Sequence, residues 1–96
     1  MASRDHHFVI NGVKWLWRYT SLRGTAAGWT FLKDPKNPKS KEKVLIDDRL
    51  AGRSRLDTEI HEFIHAANPT LSEDHVTQQA TELARILWQL GYRLKA

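Results

Sequence analysis

From residue 8 to residue 19 the chain reads Phe-Val-Ile-Asn-Gly-Val-Lys-Trp-Leu-Trp-Arg-Tyr, in which Val13, Trp15, Trp17 and Tyr19 alternate with Lys14, Leu16 and Arg18. A period of two, carried by β-branched and aromatic residues, predicts a strand with one buried face. Asn11-Gly12 is a pair that a tight hairpin turn prefers, with Phe8 to Ile10 as a short first arm. Ala26 to Leu32 predicts a second strand, and Lys43 to Asp47 (KVLID) a short third. Between them, residues 33–43 hold two prolines, five lysines and no large apolar side chain, the composition of a solvated loop.

Beyond Asp47 the apolar period lengthens to that of a helix. The first helix is predicted over residues 54–67, opened by the capping box Ser54-x-x-Asp57 and stopped by Pro69, which disfavours helix at Asn68. Leu56, Ile60, Phe63, Ile64 and Ala67 form its apolar stripe. The second is predicted over residues 71–90, opened by Thr70-x-x-Glu73 and closed by Gly91 as a left-handed cap. Its stripe is Val76, Ala80, Leu83, Ala84, Leu87 and Leu90. Strands followed by helices predict an α+β fold: a small, mostly antiparallel sheet of about three strands, then two packed helices.

Composition narrows the functional classes. At 96 residues the chain is expected to fill one domain spanning residues 1–96, with residues 8–47 supplying strands and loop. Such a small core leaves stability modest, so a bound ion adds noticeably. The absence of cysteine excludes a disulfide, a thiolate nucleophile and cysteine-bound zinc, leaving metal chemistry to His, Asp and Glu. No apolar run approaches the ~20 residues of a membrane helix, and residues 1–7 lack a signal peptide's apolar stretch. A cytoplasmic protein with no membrane partner is the expectation. Charge is split: residues 1–56 carry 12 Lys+Arg against 5 Asp+Glu, and residues 57–96 carry 3 against 6.

The first predicted helix contains His61-Glu62-Phe63-Ile64-His65, an H-E-x-x-H pentad. Spacing of four places both imidazoles on one face, about 5–6 Å apart at Cβ, where they can share a metal ion. Glu62 is rotated by about 100° from His61 and can reach a water on the open side of that metal as general base. The plainer alternative makes His61 and His65 surface histidines beside a core stripe.

A pentad on an amphipathic helix, after a small sheet and before a second helix, resembles the zincin metallopeptidases. The stretch Leu56 to Ala66, then Pro69-x-Leu71-Ser72-Glu73, then Leu87-Trp88-x-Leu90-Gly91-Tyr92-Arg93, is similar to short phage-borne zincin-like proteins. The resemblance implies a Zn2+ cofactor, a peptide or protein substrate, and peptide-bond hydrolysis by a metal-bound water with Glu62 as base. An extended substrate could pair with an exposed strand edge, KVLID being the candidate.

A catalytic zinc site normally has three protein ligands and an open position. The candidates for the third are Glu73, Asp74, His75 and Glu82. At 100° per residue Glu73 shares the stripe of Val76, Ala80 and Ala84, whereas His75 and Glu82 point away from it. Glu73 is also the reciprocal member of the Thr70 box, so ligand and cap both stand. His75, ten residues beyond His65, is the rival ligand. Asn68 and Leu71 occupy the positions where the longer metzincin motif has Gly and His, so a glutamate-ligand zincin is the closer match. Asp57 could orient His61 or cap with Ser54. Tyr19, Tyr92, Arg93 and Asn68 could each face an oxyanion, and spacing favours none. His6 and His7 sit in a terminus expected to fray and are given no role.

Two other functions remain open at this point. One is a zincin-like protein that holds zinc without turnover. The other is a basic nucleic-acid-associated module, suggested by Trp15, Trp17, Trp29 and Tyr19 interleaved with Lys14, Arg18 and Arg23. Strand spacing makes the tryptophans core residues first, and the lysines of residues 33–43 solvated, so nucleic acid is the secondary partner.

Overall fold

The computed structural model describes residues 5–95. The order of elements is β1 (Asp5–Ile10), β2 (Val13–Thr20), β3 (Gly28–Phe31), β4 (Lys43–Asp47), α1 (Gly52–Ala67) and α2 (Glu73–Gln89). The strands form one sheet in the order β1-β2-β4-β3, with β1/β2 and β4/β3 antiparallel and β2/β4 parallel. The α+β class therefore holds, with four strands where about three were expected. The first arm is longer than Phe8 to Ile10 because pairing extends to Asp5↔Arg18, where the Arg18 guanidinium forks the carboxylate with two 2.8 Å bonds. His6 and His7 consequently lie in a strand, with His6 stacked 5.8 Å from Phe8, and not in a frayed end. β3 is shorter than residues 26–32 and starts at the glycine.

Asn11 and Gly12 both adopt positive φ (52° and 78°), as a hairpin turn matching strand twist demands. The Asn11 amide also donates to the Ala67 carbonyl (2.8 Å), satisfying one of the carbonyls that the end of α1 leaves open. Trp15, Trp17, Val44 and Ile46 point from the sheet to the α1 side, where with Ile10 and Ala66 they form the main core. Burying Val44 and Ile46 completely is worth roughly 1.5–3 kcal/mol each. A second, smaller cluster of Ile64, Val76 and Ala80 joins α1 to α2.

Layering explains the departures from the apolar stripes. α1 is flanked by the sheet on one side and by α2 on another. Counting about 100° per residue, Arg55, Glu59, Glu62 and Ala66 share the sheet-facing side, while Ile60 and Ile64 face α2. Phe63 falls at the junction between the two and is 47% exposed, although its period placed it in the core. Leu83 and Leu90 are likewise exposed, because α2 buries Val76, Ala80 and Ala84 against α1 and has little else to cover.

The caps differ from the sequence reading. α1 begins at Gly52 with Ala51 as an N-cap that offers no side chain, so the Ser54–Asp57 box is not formed. α2 is capped by Ser72, whose hydroxyl accepts from the His75 N–H (3.2 Å) and lies 3.0 Å from His75 Nδ1. The cap is thus Ser72, and among the described residues the Thr70–Glu73 box is not formed. At the other end Gly91 (φ 97°) closes α2 as expected, with its N–H bonded to the Trp88 carbonyl and that of Tyr92 to the Leu87 carbonyl. Between β4 and α1, the Arg49 side chain and N–H hold the Asp47 carboxylate, and these hydrogen bonds pull its pKa down to about 2. No helix among the described residues is long and apolar enough to cross a membrane.

Candidate metal centre

His61 and His65 occupy the groove on α1 between its sheet-facing and α2-facing sides. Their rings are 4.8 Å apart between centroids. The start of α2 brings Glu73 across this groove. His61 Nε2 lies 3.0 Å from one Glu73 oxygen and His65 Nε2 2.7 Å from the other. One donor atom from each of the three residues falls within a span of 4.8 Å.

That donor set fits a metal ion of the zinc type. Two imidazole nitrogens and a carboxylate oxygen are the ligands such an ion takes, and here they converge on one another without being spent on a structural cap. Glu73 is the first helical residue of α2, where Ser72 does the capping and the Thr77 hydroxyl donates to Glu73 Oε1 (3.5 Å). It is also 65% exposed at its side chain, so the group opens towards solvent on one side and towards the protein on the other. His75 is held by Ser72, and Asp74 and Glu82 are exposed on α2, so none of the three joins the group.

Glu62 is buried (6% exposed) against the sheet. Its Oε1 accepts a 2.7 Å hydrogen bond from the Thr30 hydroxyl of β3. Gly28, two residues earlier on the same side of β3, admits the carboxylate: a Cβ there would stand 2.9 Å from both Glu62 Cγ and Thr58 Cγ2. His61, Glu62, His65 and Glu73 line one side of a cavity of about 540 Å³, and β3 lines the other. β3 is an edge strand, whereas KVLID (β4) sits inside the sheet between β2 and β3 and cannot serve as the pairing edge.

Thr30 and Gly28 were not singled out by the sequence. A glycine inside a strand pattern signals close approach of another group, so Gly28 carried a usable signal. Thr30 carried none. Replacing Gly28 by Ala is expected to destabilise the protein by about 1–3 kcal/mol, because the new methyl group must displace either Glu62 or α1. Denaturant unfolding measures this, and an unchanged midpoint would show that the close approach is not required.

The other candidates are engaged elsewhere. The Tyr19 hydroxyl donates to Glu59 and accepts from Trp17 Nε1 (3.0 Å), while Arg55 bonds Glu59 (3.1 Å) and covers the tyrosine ring. Burial, then the bond to Glu59, raises the Tyr19 pKa above its ordinary value. This network ties β2 to α1 half a turn before His61 and thereby fixes the rotation of the helix. Arg93 stacks on Trp88 and donates to the carbonyls of Trp88 and Tyr92. The Asn68 amide donates to the Ile64 carbonyl at the end of α1. Asp57 borders a small cavity with His61 and Glu62, and among the described residues no hydrogen bond joins it to His61 or Ser54.

No family model, no curated protein and no solved structure matches the chain.

Proposed function

We propose that this protein is a zinc-dependent peptidase of the zincin type, with His61, His65 and Glu73 as metal ligands and Glu62 as general base. The observation that carries the reading is the convergence of two Nε2 atoms on the Glu73 carboxylate beside a buried glutamate that needs no metal-binding role. Zinc in that position supplies a Lewis acid that acidifies water and polarises a carbonyl. Glu62 takes the proton of the attacking water and passes it to the leaving amide nitrogen. Thr30 holds one carboxylate oxygen of Glu62, leaving the other for that transfer. The free edge of β3 runs beside the group and can hold an extended peptide by main-chain pairing, which sets the scissile bond against Glu62.

One observation favours a second reading, in which zinc braces α1 against α2 without turnover. Tyr19, Arg93 and Asn68 are bonded elsewhere, and exposed Tyr92 borders a cavity beside Gly52 and Trp88 and not the one lined by Glu62, so none of these four side chains is placed to meet an oxyanion. Metal-stripped protein titrated with zinc and offered a mixed peptide library decides between them. The peptidase reading expects one zinc per chain and zinc-dependent cleavage. Zinc uptake without cleavage supports the brace, and no zinc uptake removes both.

A further inference from the structure

The site on the α1 side of the sheet leaves its opposite face unexplained. Strand alternation puts Trp15, Trp17, Val44, Ile46, Gly28 and Thr30 towards α1, so the intervening residues point the other way. Register aligns these into one surface: Leu16 pairs with Lys43, Lys43 with Phe31, and Leu45 with Trp29. Trp29 and Phe31 are exposed (47% and 37%), with ring centroids 5.8 Å apart. On this face they are aromatic residues that the helix-facing core did not take.

Residues 33–42 fold beside this face as an ordered loop. Its turns are held by its uncharged and acidic side chains: Ser40 Oγ accepts from the Asp34 N–H (2.8 Å), Asp34 from the Lys36 N–H (2.9 Å) and Asn37 from the Lys39 N–H (3.1 Å). The lysines take no part in that framework through their ammonium groups. With the sheet, the loop encloses a cavity of about 830 Å³ whose lining includes Lys14, Lys39, Lys41 and Lys43. None of these four is in a salt bridge among the described residues, and Lys43 Nζ lies 4.9 Å over the Phe31 ring. Asp34 and Glu42 are the acidic groups on the lining, and Asp34 is already an acceptor in the loop. Four of the twelve Lys+Arg of residues 1–56 thus border one concave place, against two carboxylates.

We propose that this outer sheet face and the lysine loop bind single-stranded nucleic acid. Charge complementarity calls for an anionic partner, and the exposed aromatic pair distinguishes which one. Unpaired bases can stack on Trp29, which Phe31 meets edge to face, while phosphates meet the lysines, whereas the bases of a duplex are already stacked and paired. Trp15 and Trp17, being buried, take no part. The surface shares β3 with the metal group: Gly28 and Thr30 face α1, Trp29 and Phe31 alternate to the other side, and at the strand edge both also border the cavity beside His61 and His65.

The test titrates the full chain into a fluorescein-labelled, mixed-sequence single-stranded DNA 20-mer and follows anisotropy. The corresponding duplex and phosphatidylserine vesicles serve as competitors. If four lysines each neutralise a phosphate, affinity for the single strand falls roughly 50-fold between 50 and 200 mM salt. Trp29→Ala is expected to weaken binding about 5- to 150-fold, the range of one base stack. The paired loop substitutions Lys39→Glu and Lys41→Glu, which lie outside the core, are expected to weaken it more than tenfold with an unchanged circular dichroism spectrum. The proposal is overturned by no binding at 50 mM salt, by stronger competition from duplex or vesicles than from unlabelled single strand, or by unaltered affinity of the loop variant.

Discussion

Glu62→Gln is expected to lower zinc-dependent peptide cleavage by about 10²- to 10⁴-fold, the usual contribution of a positioned general base. The substitution keeps shape and volume, and an amide oxygen can still accept from Thr30, so the packing between β3 and α1 is preserved. What disappears is the capacity to take a proton. Zinc stoichiometry should stay at wild-type level, because the ligands are on the neighbouring residues of the helix and on α2. Measuring kcat/KM with metal content on the same preparation separates loss of the base from loss of the ion. Equal cleavage by both proteins would remove Glu62 from the mechanism.

The second large effect concerns Glu73. Loss of a group that merely supports a ligand costs about 10- to 100-fold in metal affinity, so Glu73→Gln is expected to cost more than about 100-fold. His75→Ala should leave zinc affinity nearly unchanged, since His75 is joined to Ser72 at the start of α2. Thermal unfolding gives a second reading of the same difference. Zinc at about 100 times its Kd stabilises a folded protein by about 2.7 kcal/mol, which for a domain of this size raises Tm by roughly 10–20 °C. Wild type and His75→Ala should show that rise, and Glu73→Gln should not at the same zinc concentration. The opposite ranking would transfer the third ligand to His75.

Glu73 also illustrates why the sequence left its role open. Thr70 and Ser72 are both good N-cap residues, but only Thr70 has a glutamate three residues on to complete a box, which drew the reading to Thr70 and Glu73. The helix starts where its first turn can place Val76 against Ile64, a contact between segments twelve residues apart. That choice simultaneously frees Glu73 and ties down His75. The edge strand was misassigned for a related reason. KVLID was the candidate edge, but nothing within five residues specifies sheet order, and β4 pairs on both sides.

Local chemistry along the chain is enough to determine the α+β class, the Asn11-Gly12 turn, the Gly91 stop and the placing of two histidines and a glutamate on one helix. Each depends on backbone preference or on side-chain periodicity over a few residues. Tertiary structure alone decided that Thr30 and Gly28, more than thirty residues before Glu62, seat its carboxylate, that α2 begins so as to aim Glu73 at both histidines, and that Trp29 faces away from the core that claimed Trp15 and Trp17. Those outcomes depend on which surfaces pack together, and packing energy is shared between segments that the sequence keeps apart.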